Sequence, residues 1–317
     1  MYEAASAMPI FFAVDDHYAA SLAVAIQSLV ANADRGRSYH VIVLQRGLKP
    51  ENRKNLLALA TDNVQVELVP MAERIKECLA DNGNKLRADY FTLTIYYRLF
   101  IAEMFPQYSK GLYLDADVIA LDDVAKLFAT DVTGKLVAAA VDPFIATDAI
   151  MAPYAVNSVG VPADAYVNSG VLVMNLAEMR QQHFAEHFLT LLNQYKFASI
   201  APDQDYLNAI AADQMVHLPL SWNVQEVGPS YAVQLVHYNL FKKPWHYVDV
   251  PNGADFWRYA DQTPYAAKLR ATRAHFTAAD AANDEKHMRE MVARAESITY
   301  APASFRDIQA RTGEVRL

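Results

Sequence analysis

Asp115 and Asp117 stand two residues apart where the apolar run of GLYLDADVIAL meets its first charges. In extended backbone alternate side chains share a face, so both carboxylates would leave the strand on one side. Two like charges so placed repel. A divalent cation removes the repulsion, and hard oxygen ligands suit Mg²⁺ or Mn²⁺, which can also bridge to phosphate oxygens. Asp-x-Asp occurs equally in solvated turns, so the pair alone does not choose between the two readings. A second stretch, VHYNLFKKPWHY, puts His237 at the end of an apolar run and Lys243 six residues later. A neutral imidazole can complete a carboxylate metal site and moves the preference toward Mn²⁺, while the lysine can neutralise a diphosphate. The plainer alternative is a hydrogen-bonded core histidine and a lysine stem lying over Trp245.

Such residues need a scaffold, and the hydrophobic pattern predicts one. Short β runs alternate with helical spacing: 10–14, a helix over 18–32, 39–44, a helix from Pro50 to about Ala60, then 64–69. This order implies an α/β fold with a mostly parallel, doubly wound sheet, whose ligands sit beyond the strand carboxyl ends where strand order reverses. Helical spacing returns over 92–105, and the strand LVAAAV (136–141) follows the aspartates. A loop rich in Pro and Asn leads to the strand SGVLVMNL (169–176), a long helix over 177–195, a helix opening at DQDYLNAIA, and a last strand ending at His237. Past Val250 the texture changes: 250–317 carries ten Lys or Arg against nine Asp or Glu, where 1–249 carries eighteen against twenty-seven. The division expected is an α/β domain up to about residue 250 and a helical appendage over 251–317.

Composition excludes several classes. The chain has 317 residues, 53% of them hydrophobic and 20% charged, with 10 Gly and 14 Pro, which rules out collagen-like and disordered polymers. A net charge of −8 argues against a nucleic-acid binder with a broad basic face. One cysteine, Cys78, removes intramolecular disulfides and points to a cytoplasmic protein, with Cys78 a small buried apolar group. The longest charge-free run, Tyr18 to Ala33, holds Ser21, Gln27, Ser28 and Asn32, so no transmembrane segment and no signal peptide is expected. Peripheral contact with the cytoplasmic membrane face stays open, although the tail lacks the cluster of basic residues that binds anionic lipid.

The ordered set FAVDDHYAASL, YYRL, LYLDADV, VNSGVLVMNL, DQDYLN and HYNLFKKPW resembles the family 8 glycosyltransferases over about residues 8–250. That family includes lipopolysaccharide galactosyl- and glucosyltransferases and glycogenin. The resemblance implies a GT-A fold and a retaining enzyme that moves glucose or galactose from a UDP-sugar to a glycan, glycolipid or glycoprotein hydroxyl. It implies that Ala13 and Asp15 read uracil with Tyr18 stacked on the base, and that His17 stands where some relatives have Asn. Asp115, Asp117 and His237 match the family's metal triad, usually Mn²⁺, with Lys243 on the phosphates. Arg98 matches an arginine near the donor sugar and the first aspartate; an ion pair orienting Asp115 is the structural alternative. Asp142, Asn168, Ser169, Gly170, Asp203 and Gln204 match positions lining the donor hexose, Asp203 and Gln204 being the catalytic candidates.

Retention commonly involves a carboxylate nucleophile, yet an amide such as Gln204 is a poor one. Front-face displacement is therefore the expected route, with Asp203 or Gln204 stabilising oxocarbenium-like charge. One position departs from the family's His-x-x-Gly-x-x-Lys-Pro-Trp motif: Leu240 replaces the glycine, which puts backbone binding of the diphosphate in question. A catalytically impaired nucleotide-sugar-binding protein is accordingly the alternative function. A nucleotidyl transferase, releasing pyrophosphate instead of UDP, is a third.

Overall fold

The computed structural model describes residues 7–71 and 92–317, and Cys78 lies outside the described residues. The strands are β1 (Met8–Asp15), β2 (Tyr39–Arg46), β3 (Val64–Pro70), β4 (Gly111–Leu114), β5 (Val118–Ala120), β6 (Val137–Val141), β7 (Val167–Met174), β8 (Met215–His217) and β9 (Leu235–His237). The chain divides into two compact units. One comprises Met1–Lys76, Gly111–Asp131 and Pro219–Ala281; the other comprises Glu77–Lys110, Val132–Leu218 and Ala282–Leu317. These units do not follow the division expected at residue 250, since the tail contributes to both. The reason is local packing. Phe256, on the helix Gly253–Ala260, is buried in the first unit, and Phe305, on the helix Phe305–Thr312, is buried in the second.

In the first unit β2 pairs in parallel with both β3 and β1, and β1 pairs in parallel with β4. β1 and β2 read as nearly continuous apolar runs because both of their faces are covered. The chain builds outward from β1 through β2 to β3 and then returns to place β4 on the other side of β1. This reversal sets the carboxyl ends of β1 and β4 side by side, where an open α/β sheet leaves a crevice. The helix Ala19–Asn32 follows β1, and its Ser28 hydroxyl accepts from the Ala120 N–H at 2.9 Å. β5 pairs antiparallel with β9 so that Val118 faces His237.

In the second unit β6 lies between β7, antiparallel to it, and β8, parallel to it. All eight residues of β7 are buried. An aromatic cluster of Tyr96, Phe100, Phe188, Phe197, Tyr206 and Phe305 forms its helical core, Phe197 and Phe305 stacking with ring centres 4.0 Å apart.

Three local expectations are corrected. The stretch expected as one helix over 177–195 is two, Leu176–Gln181 and Phe184–Tyr195, because His183 adopts φ 54° and re-aims the chain so that Phe184 and Phe188 face inward. The loop expected after β6 is largely helical, with helices at Pro143–Thr147 and Met151–Tyr154. Asp142 and Asp148 accept from N–H groups at the two starts, and Pro143 occupies a first-turn position that needs no N–H. Gly160 ends the following turn at φ 87°, where a Cβ would stand 3.2 Å from the Arg306 Cα. Finally, the apolar strand ends at its acids as expected, at Leu114, but residues 115–117 turn instead of staying extended before β5 begins.

Candidate active site

The first unit gathers one set of expected residues. Asp15 ends β1, and its Oδ1 accepts from the N–H groups of His17 and Tyr18 at 2.9 and 3.3 Å, shaping the loop that leads into the next helix. Neighbouring Asp16 turns away and accepts from Lys49 N and Asn52 Nδ2. Ala13 sits two residues earlier in β1, paired with Leu44. Tyr18 is 41% exposed. Its hydroxyl is pushed above the usual tyrosine range by desolvation first, with Asp117 and Asp115 adding to the rise and Lys243 opposing it.

The turn after β4, not a strand pleat, aims the two acids. Asp115 Oδ2 lies 3.7 Å and Asp117 Oδ1 3.4 Å from His237 Nε2. The antiparallel β5–β9 pair delivers the imidazole, and the Tyr238 N–H donates to the Asp117 carbonyl at 2.9 Å. The Tyr113 hydroxyl donates to Asp115 Oδ1 at 2.8 Å. Lys243, buried, bonds Asp117 Oδ2 and the Tyr238 carbonyl. Burial works against charge on Asp117, but the Lys243 ammonium outweighs it and holds its carboxyl well below the usual carboxylate range.

These side chains fit a divalent cation. Asp115, Asp117 and His237 each offer one donor atom, all within 4.8 Å of one another. Asp117 Oδ1 is buried with no hydrogen-bond partner, the kind of orphan acceptor that a cation satisfies. Adjacent ligands each about 2.1 Å from a shared ion stand about 3 Å apart, so the His237 distances of 3.4 and 3.7 Å need only small adjustment. Leu240 takes φ 55°, its N–H donating to Asn239 Oδ1 at 2.8 Å. The leucine thus adopts the left-handed backbone that the usual glycine would favour.

The second unit gathers the other expected residues into one network. Arg98 pairs with Asp203 Oδ2 at 3.0 Å and donates to the carbonyl and hydroxyl of Ser169 at 2.8 and 2.9 Å. The Ser169 hydroxyl in turn donates to Asp203 Oδ2. Gln204 is held at both ends of its amide: Oε1 accepts from the Ser169 N–H at 2.9 Å, and Nε2 donates to Asp142 Oδ2 at 3.1 Å. Asn168 also donates to Asp142 Oδ2, and its own oxygen accepts from the Gly170 N–H. Asp203 and Gln204 occupy the first turn of the helix Pro202–Ala211.

Two residues outside the expected set complete these clusters. Asp205, fully buried, accepts from the hydroxyls of Tyr154, Tyr166 and Ser199 and from the N–H groups of Ile200 and Ala201. Burial pushes its carboxyl up, against the pull of the Ser199, Tyr166 and Tyr154 hydroxyls. The available signal was the second aspartate of DQDYLN, a charge directly before the apolar pair Tyr206 and Leu207. Asn223 meets His237 Nδ1 at 3.0 Å; nothing in SWNVQ marks it.

The sequence matches the model of glycosyl transferase family 8 over residues 9–249. The chain belongs to that family. Among curated relatives, this family 8 chain is 27% identical to general stress protein A of Bacillus subtilis, over 81% of its own length and 90% of the relative's. It is 27% identical to a lipopolysaccharide 1,2-glucosyltransferase of Escherichia coli, over 78% and 76%. Among solved structures it is similar to the galactosyltransferase LgtC in complex with donor and acceptor sugar analogs, with a TM-score of 0.67 and 26% identity, covering 84% of this chain and 100% of that one. The bifunctional glycosyltransferase WbbM gives a TM-score of 0.73 at 23% identity and shares the fold; the family 8 chain spans about half of it, 52%. The fold is GT-A, with a helical C-terminal region, and the protein is a glycosyltransferase. Among the described residues no helix is long and apolar enough to cross a membrane.

Proposed function

We propose that this family 8 glycosyltransferase moves a hexose, glucose or galactose, from its UDP-sugar to a hydroxyl of a glycan or glycoconjugate, with retention of anomeric configuration and with Mn²⁺ preferred over Mg²⁺. The observation that carries the reading is the Asp115–Asp117–His237 group with its orphan Asp117 oxygen. When bound there, the cation would stabilise negative charge on the departing nucleoside diphosphate. Asp115, Asp117 and His237 would hold it, and Lys243 would add positive charge for the phosphates. Ala13, Asp15, His17 and Tyr18 would take the nucleoside, an aspartate accepting the uracil N–H while the phenol ring stacks. Asp142, Asn168, Ser169 and Gly170 would line the hexose, with Arg98 fixing Asp203.

The network favours front-face displacement. Both oxygens of Asp142 and of Asp205 are already engaged, Asp203 Oδ2 is shared by Arg98 and Ser169, and Gln204 is pinned at both ends. An ester from Asp142 or Asp205 to the anomeric carbon would require breaking such bonds first, and Asp203 is held against Arg98 by its Oδ2. In the proposed step the acceptor oxygen bonds the anomeric carbon as the carbon–oxygen bond to the diphosphate breaks, and the departing phosphate oxygen takes the acceptor's proton. The products are UDP and the retained glycoside. Asp203 and Gln204 would offer a carboxylate and an oxygen dipole, respectively, to positive charge developing on the sugar.

The lipopolysaccharide glucosyltransferases among its relatives favour a glycolipid acceptor met at the cytoplasmic membrane face. The test is UDP release from UDP-glucose and UDP-galactose, with the anomeric configuration of the product read by NMR. Release that needs Mn²⁺ and stops in excess chelator is expected. Full turnover in chelator, pyrophosphate as product, or inversion would overturn the corresponding part. Binding of the UDP-sugar with no release would establish the impaired binding protein instead.

A further inference from the structure

Asn223 lies outside the triad, yet it is as deeply buried as the histidine, 1% against 2% exposed. Its position is fixed by backbone bonds to the strand that carries His237. Gln234 N donates to the Ser221 carbonyl at 2.9 Å, Val224 N to the Leu235 carbonyl at 2.9 Å, and His237 N to the Val224 carbonyl at 2.8 Å. The short 3-10 turn Leu220–Trp222 anchors the other side, with the Trp222 ring buried and Asn223 N donating to the Leu220 carbonyl. The amide therefore moves with β9 as one body.

From there Asn223 Oδ1 stands 3.0 Å from His237 Nδ1. An amide oxygen only accepts, so the ring proton must sit on Nδ1. In the neutral ring the lone pair is then left on Nε2, the atom 3.4 Å from Asp117 Oδ1 and 3.7 Å from Asp115 Oδ2. Turned the other way, the amide would present N–H groups to Nδ1 and drive the ring proton onto Nε2, into the space a cation would share. A neutral histidine side chain in water prefers the proton on Nε2, so the metal-ready tautomer needs a partner to hold it. A hydrogen bond of this kind to the far nitrogen is how metal-binding histidines are oriented and made more basic.

We propose that Asn223 is the positioning residue that sets the tautomer of His237 and aims its Nε2 at the divalent-cation site. This rests on the reading of Asp115, Asp117 and His237 as a metal group, and the experiment separates the two. Full-length wild type, H237A, N223L and N223D are titrated with Mn²⁺ alone by calorimetry, and the His237 ring nitrogens are followed by ¹⁵N NMR in metal-free protein. N223L keeps the volume but removes the acceptor; N223D keeps an acceptor. Expected are a Mn²⁺ affinity about 10- to 100-fold weaker in N223L, wild-type or tighter affinity in N223D, and a proton on Nδ1 in wild type and N223D but not held there in N223L. Affinity within twofold of wild type in N223L, or a wild-type ring protonated on Nε2, overturns the role of Asn223 alone. Wild-type affinity in H237A overturns the metal reading and this proposal with it. Should N223L not fold, N223D decides: a tenfold loss of affinity there, or loss of the Nδ1 proton, overturns the proposal.

Discussion

The two polar clusters of this enzyme are built on opposite principles. In the first unit, two carboxylates, an imidazole and an ammonium converge, one buried carboxylate oxygen has no partner, and a leucine holds left-handed backbone close by in sequence. In the second, Asp142 and Asp205 have both oxygens engaged, and the Gln204 amide is gripped at each end. The buried acids make the contrast concrete. Asp117 faces a full positive charge and its carboxyl is held down, whereas Asp205 faces neutral hydroxyls and N–H groups and burial pushes it up. One cluster leaves a buried acceptor unsatisfied; the other has its buried carboxylates already paired.

The largest effect should come from breaking the incomplete cluster. Asp117→Asn would remove a ligand charge while leaving Lys243 buried, so we expect loss of measurable Mn²⁺ binding and a fall in kcat of roughly 1000-fold or more. Calorimetry and UDP release check this, and near-normal turnover would show that the orphan oxygen has no catalytic partner. The second unit should respond differently. Gln204→Ala is expected to lower kcat by about 100- to 1000-fold, the range for removing one preorganised dipole, with Mn²⁺ affinity unchanged. If Gln204→Ala weakened Mn²⁺ tenfold, the two clusters would not be separable.

The contrast also explains what could be read from residues alone. Asp115 and Asp117 were legible because an apolar run ending in paired acids is a local pattern, and His237 with Lys243 because their spacing is local too. Their true geometry was not: a turn aims the acids, and an antiparallel partner strand brings the histidine. The second-unit set from Arg98 to Gln204 was singled out only through the ordered motifs of a family, since no spacing rule links residues that far apart in the chain. Asp205 and Asn223 escaped because their roles are defined wholly by tertiary neighbours. The break at His183 and the helices after Asp142 escaped for a related reason: burial of Phe184 and capping by Asp142 override the local composition.

Asp205 tests preorganisation as a matter of stability. Asp205→Ala would leave the hydroxyls of Tyr154 and Tyr166 and two backbone N–H groups short of a buried acceptor, at about 1–3 kcal/mol for an unpaired group. We expect a loss of about 3–5 kcal/mol in unfolding free energy, within the range for breaking a buried polar network. Chemical denaturation measures it. A loss below about 1 kcal/mol would mean that water replaces the carboxylate and the network is looser than it is drawn.

Leu240 should give the smallest effect, and the sign of the reasoning matters more than its size. The glycine usual at this position would relieve left-handed backbone, which costs a non-glycine residue about 1–2 kcal/mol. Against that, a glycine loses about 0.5–1 kcal/mol through unfolded-state entropy, and the half-buried leucine side chain contributes a similar amount by leaving water. The terms nearly cancel, so Leu240→Gly should change unfolding free energy by less than about 1 kcal/mol. Donor binding should also move little, because the backbone a glycine would favour is the one already adopted, and Lys243 already reaches Asp117. We expect the KM for the UDP-sugar to stay within about threefold, well under the tenfold that corresponds to 1.4 kcal/mol. A tenfold fall in KM would show that the leucine side chain, not its backbone, obstructs the diphosphate, and would place the chain's departure from its family at the phosphates.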